Sequence, residues 1–184
     1  GKPVFSATTS FATGDELWDS KMSSFLAGTI NLVAVSDTKL YAASHLSIYS
    51  WDGTYWLPVC EAAGGAISSL EIAGNDLYVG GEFTTIANQP IKYLAKWDGT
   101  TWTSFGTGVN NRVNAIAIEN NNVFVGGAFT LAGGASANRI AKWDGTSWTA
   151  LGSGASGQVN AIAVANGVVY AGGEFLTMGG TNVN

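Results

Sequence analysis

Few side chains in this sequence could do chemistry, and their spacing says more than their number. Asp52, Asp98 and Asp144 recur at intervals of 46 residues (98−52 and 144−98), each directly before a glycine, which is the habit of turn residues. Glu82 and Glu174 share a repeat position that Ala128 vacates. Glycoside hydrolysis needs two carboxyl groups facing each other across the scissile bond. On the runs read below as inner strands only Glu71 is acidic, between Leu70 and Ile72, so acid–base pairing lacks its second member. Histidine occurs once, at His45, and one imidazole cannot build a catalytic zinc shell. Cys60 is the single cysteine, so no internal disulfide forms, and no histidine near it in sequence could activate the thiol. No Ser-His-Asp set, Walker glycine loop or Asp-x-Asp-x-Asp calcium loop is present. The expectation is a protein that is not an enzyme and needs neither metal nor cofactor.

The elements that position these residues follow from a repeat. The string Trp-Asp-Gly-Thr-x-Trp begins at Trp51, Trp97 and Trp143, 46 residues apart. The run Val113-Asn114-Ala115-Ile116-Ala117-Ile118 returns at 159–164, at 67–72 and, after a deletion of nine residues, at 30–35. Each such run alternates small or polar with larger apolar side chains, as a strand sandwiched between sheets should. A second run follows each, with Tyr41, Tyr78, Phe124 and Tyr170 in register. Short connections such as Asn120-Asn121-Asn122 join the first run to the second, and Asp-Gly joins the third to the fourth as a two-residue type I′ hairpin. A period of this size, made of four short strands, predicts an all-β β-propeller of four-stranded antiparallel blades.

Laid over one another, the repeats divide the chain into full blades at 30–66, 67–112 and 113–158. Residues 159–184 read as strands one and two of a closing blade whose strands three and four come from residues 1–29, around Trp18. That gives one domain of four blades, the last completed by both termini. A ring closed on itself is the preferred reading. A slice of a longer array, with blades supplied by a second copy, is its rival.

The pattern Val-x-Val-Gly-Gly-x-Phe-Thr, followed by Asn-x-Ile-Ala-Lys-Trp-Asp-Gly-Thr-x-Trp, resembles the kelch-type repeat in its double glycines at Gly80-Gly81, Gly126-Gly127 and Gly172-Gly173. It is more similar to the repeats of bacterial secreted propeller proteins related to the delta-60 and fungal cortical-marker families. Residues 67–184 carry the likeness fully and residues 30–66 in part, with Ala43-Ser44 in place of the glycine pair. Residues 1–29 match only around Trp18, and the stretch from Gly-Gly to Trp is longer than in kelch. The resemblance implies a propeller outside the cell or at its surface, with a signal peptide absent from this numbering; it implies no reaction.

Composition narrows the partners. A net charge of −5, with eight Lys and Arg scattered along the chain, leaves no basic footprint for nucleic acid. No apolar run reaches the ~20 residues of a spanning helix, so membrane insertion is not expected. Antiparallel order places the long connections, near 81–91, 106–112, 127–138 and 173–184, on one face. There Asn88, Tyr93, Asn110, Asn111, Arg112 and Asn138 offer neutral hydrogen-bonding groups and one cation, a mixture suited to a glycan or a polar protein surface. Asn in such loops also serves turn geometry, the competing reading. His45 would line a notch left by the nine-residue deletion, with a solvated loop histidine as the competing reading. The expected function is an extracellular binding or adhesion module. Its rivals are a self-assembling structural array, a homo-oligomer, and a carbohydrate-active enzyme using Glu71.

Overall fold

The computed structural model describes residues 29–183, and its regular elements are antiparallel β-strands, without helices among the described residues. Strands one to four of unit one are Leu32–Val35, Leu40–Ala43, Ser47–Trp51 and Trp56–Ala63. Unit two comprises Ile67–Ala73, Asp76–Gly81, Leu94–Trp97 and Trp102–Thr103; unit three comprises Val113–Glu119, Asn122–Gly127, Ile140–Trp143 and Trp148–Ala150. Unit four contributes two strands, Val159–Ala165 and Val168–Gly173. The third and fourth strands expected from residues 1–29, and Trp18 with them, lie outside the described residues.

Sheets stack face to face through their first strands, and apolar layers fill the gaps between them. Ala34, Tyr41, Ile48, Leu77, Val79 and Phe83 belong to the layer between units one and two. Leu94, Phe105, Val113, Ile116 and Phe129 fill the next, and Ile140, Ala155 and Val159 form the third with Ile162 and Phe175. Units two and three are thus each half of two cores.

The double glycines make this stacking close enough. A Cβ on Gly80 would lie 2.8 Å from Val113 Cγ1, and one on Gly126 would lie 2.5 Å from Val159 Cγ1. Gly80 and Gly126, the first glycines of their pairs, therefore receive the leading side chain of the next unit. The second faces its own unit: a Cβ on Gly81, Gly127 or Gly173 would come within 2.2, 2.1 or 2.0 Å of the carbonyl oxygen of Ala66, Arg112 or Gln158. A register shift lies between the first and third residues of each long first strand, flanking Ser68, Asn114 and Asn160. The Asn114 amide uses it to donate to the Val159 carbonyl and to Asn160 Oδ1, both at 3.1 Å.

The Asp-Gly turns differ from the expected two-residue type I′ hairpin. Trp51 pairs with Trp56, Trp97 with Trp102 and Trp143 with Trp148, so four residues form each loop, and only the glycine has positive φ, 101–105°. A type I′ turn needs both central residues there. The aspartate holds the loop instead: Asp98 Oδ1 accepts the backbone N–H groups of Thr100 and Thr101, each at 2.8 Å, and Asp144 does the same for Thr146 and Ser147. These bonds favour the carboxylate and hold all three acids below the usual range. Asp98 is lowered first by the Thr100 hydroxyl, Asp144 by the Ser147 amide and Asp52 by the Tyr55 amide. Beside each turn the two indoles meet across the strands, with centroids 5.5, 5.2 and 5.5 Å apart.

The long second-to-third connections are folded, not open. Leu131–Ala132 pairs with Ala135–Ser136, and Thr177–Met178 with Thr181–Asn182, as miniature hairpins. Each reaches back to the connection entering its own unit, through Val109↔Ala132 and Ala155↔Met178. In unit two the equivalent segment Thr85–Ile86 pairs directly with Ala62 and Ala63 of unit one.

The stack does not close on itself among the described residues. Phe124 in unit three is 7% exposed, whereas its counterpart Tyr170 in unit four is 59% exposed. At the other end Val33 and Val35 are 55% and 62% exposed, while their counterpart Ile116 is buried.

Candidate functional site: a groove between units two and three

On the long-loop side, the connections of units two and three leave a cleft of about 400 Å³. Lys92 and Tyr93 form one wall, Thr107–Asn110 the floor, and Leu131 with Gly133 and Gly134 the other wall. Tyr93 sits there because the chain turns sharply into the third strand, at φ 66°, with its carbonyl accepting Gly81 N–H and its own N–H reaching the Phe83 carbonyl. Arg139 takes the same conformation one repeat later, at φ 67°, so the strained backbone belongs to the scaffold.

The equivalent space between units three and four is occupied by the protein itself. Asn138 Nδ2 donates to the Ser153 carbonyl at 3.0 Å, and Arg139 Nη1 donates to the Ala155 carbonyl at 2.7 Å. Lys92 and Tyr93 stand 46 residues before those two (138−92 and 139−93) and make no such bonds to the facing loop, and Lys92 is exposed. The groove exists because two residues of the repeat changed.

Of the residues anticipated from sequence, the structure gathers Tyr93 and Asn110 at this groove and disperses the rest. Asn110 also braces its loop: its Oδ1 accepts Thr130 and Leu131 N–H at 2.8 and 2.9 Å, as Ser156 Oγ does for Leu176 and Thr177 in the next unit. Asn88 follows Ala87 in a turn where both have positive φ, 61° and 48°, at positions that other units fill with Gly133-Gly134 and Gly179-Gly180. Asn111 Oδ1 accepts the Arg112 N–H, 2.8 Å away. Asn138 is spent on Ser153 as above.

Arg112 ties three units together. One guanidinium nitrogen donates to Glu82 Oε1 at 2.7 Å and another to Gln158 Oε1. His45 is exposed in a tight turn that Ser44 closes by accepting Ser47 N–H at 3.0 Å, and its carbonyl accepts Ile67 N–H. The deletion shortened the turn to this form. Lys92 and Leu131 escaped the sequence reading. The available signal was the pair Lys92-Tyr93 standing where the following repeat has Asn138-Arg139.

The remaining titratable groups do not converge on the groove. Burial raises the Glu71 carboxyl, and burial, with the Glu61 charge second, pushes the Cys60 thiol up to about 12, where no thiolate exists near neutral pH. Among the described residues no cluster of three His, Cys, Asp or Glu could hold a metal ion, and no helix is long and apolar enough to cross a membrane.

The geometry defines an all-β array of stacked antiparallel sheets, and two designed proteins are similar to it. The crystal structure of the computationally designed Ika4 protein matches with a TM-score of 0.57 at 17% identity, covering 78% of this chain and 84% of that one. That of the computationally designed Ika8 protein matches at 0.55 and 19%, covering 78% of this chain and 42% of that one. At such identities the likeness concerns the fold alone. No family model matches the sequence, and no curated protein does.

Proposed function

We propose that the stacked units are blades of a β-propeller, four per chain with the last completed by residues 1–29. In this reading the protein is a non-catalytic module outside the cell or at its surface. It holds a glycan or a protein surface in the groove between units two and three. The supporting observation is that Lys92 and Tyr93 leave open a space that Asn138 and Arg139 fill one unit later. A concave site with apolar walls and a few polar groups is the usual form of a recognition site. Here Leu131 and the Tyr93 ring give apolar surface, Lys92 gives a cation, and Gly133-Gly134 lets a ligand approach the backbone. Residues that recur in every unit serve the scaffold, and those that break the recurrence are left for recognition.

The test is a glycan array, with a panel of extracellular proteins beside it, probed with the native chain and with the double variant Lys92→Ala, Leu131→Asp. Both positions are exposed, so folding should survive. Loss of signal by tenfold or more in the variant is expected, with Asn111→Ala unchanged. A signal that ignores the double variant would refute the groove.

A further inference from the structure

We infer that the outward faces of units one and four are two halves of one interface, and that a second copy of this chain joins them head to tail. The inference does not depend on what the groove binds.

Inside the chain the same contact is made repeatedly. The leading unit offers the aromatic of its second strand and the first glycine of its pair, to which unit three adds Ala115 and Ala117 where unit two has Ser69 and Glu71. The following unit covers them with the apolar side chains of its own first strand, Val113 on Gly80 and Val159 on Gly126. Unit four has the complete leading half and nothing against it among the described residues. Ala161 and Ala163 are exposed where Ala115 and Ala117 are buried, and Val168 and Tyr170 are exposed beside them. Among the described residues the nearest atom to a Cβ on Gly172 is Ala161 Cβ at 3.9 Å, so none of them fills the socket that clamps Val159 at Gly126.

Unit one carries the following half. Val33 and Val35 align with Ile116 and Ile118 and are exposed. Farther out on the same face, Ala42, Tyr49 and Trp56 are already buried in their own cluster. The uncovered part of unit one is therefore the strip along its first strand. Among the described residues unit four shows two long strands, so its first and second strands are what it presents. The two surfaces agree in chemistry, apolar against apolar, and in their alignment within the repeat.

The described residues of one molecule cannot cover both halves in this conformation, because both are exposed in it. A second copy can: unit four of one chain covers Val33 and Val35 of the next. Such a contact uses different surfaces on its two partners, so it closes as a ring or extends, according to the rotation between copies.

The experiment is mass measurement by light scattering across a hundredfold range of concentration, with the full 184-residue chain. Native chain should reach multiples of 19.0 kDa. Val33→Glu with Val35→Glu should be monomeric, as should Ala163→Glu with Tyr170→Glu. Mixing the two variants restores one intact pair of halves and should give a species of two chains and no larger. Far-UV circular dichroism checks that each variant folds, and Val33→Thr with Val35→Thr, which suits a strand, should weaken association by at least tenfold. Native chain that stays at 19.0 kDa throughout, association that survives both pairs of charges, or a mixture that remains monomeric would each overturn the inference.

Discussion

Units three and four have nearly the same first two strands, Val-Asn-Ala-Ile-Ala-Ile against Val-Asn-Ala-Ile-Ala-Val, yet one is core and the other surface. The register is the same as well: Ala117 pairs with Phe124 as Ala163 pairs with Tyr170. What differs is the neighbour. Strand formation is local to the unit, while burial is a property of the interface, as expected of a repeat array whose stability is a sum of unit and nearest-neighbour contributions.

The sharpest way to break that comparison is to add a methyl group to each first glycine. Gly126→Ala should cost about 1–3 kcal/mol by overpacking Val159. Gly172→Ala should shift folding stability by less than about 0.5 kcal/mol. Urea midpoints measure both, and equal losses would mean that unit four is covered like unit three. In the mass assay Gly172→Ala should nonetheless weaken association. Next in size is Ala87→Gly, which relieves a left-handed residue at φ 48° and should stabilise by about 1 kcal/mol. Arg112→Ala removes a tie between units two, three and four, but its ion pair with Glu82 is half exposed, so the cost should stay below about 1 kcal/mol. Binding at the groove should not change.

Acid comes next, because the aspartate turns are independent of neighbours. Carboxyls held below their unfolded values stabilise the fold above those values, and the contribution fades as pH falls through the folded ones. Asp52, Asp98 and Asp144 should therefore make the melting temperature decline below about pH 4. The triple variant to Asn should show a flatter profile. The smallest effect concerns Cys60: with its thiol pushed up to about 12, a thiol reagent at pH 8 should label it only when denaturant is added. Rapid labelling of the native chain would contradict the half-buried placement of that thiol.

Much of the fold was legible because the repeat is written several times. Val113–Glu119 and Asn122–Gly127 announce themselves by alternation and by the turn residues between them. The miniature hairpins were not legible, since ladders of two residues, such as Leu131–Ala132 with Ala135–Ser136, carry no period. The Asp-Gly loop was misjudged because the dipeptide suggests a two-residue turn while Trp51 and Trp56 set a four-residue one. For the site, the asparagines carry loop geometry: Asn110, Asn111 and Asn138 hydrogen-bond loop backbone and Asn88 holds a positive φ, while Asn110 also lines the groove. Tyr93 was recoverable, and Lys92 beside it was recoverable only by asking which positions break the repeat.

The glycine pairs have a further consequence. Unit three carries on one side the hollow at Gly126 that accepts its successor and on the other the Val113 side chain that fills its predecessor. Copying the stretch of gene that encodes one unit would thus lengthen the stack without inventing a new surface, because the duplicate arrives already fitted to itself.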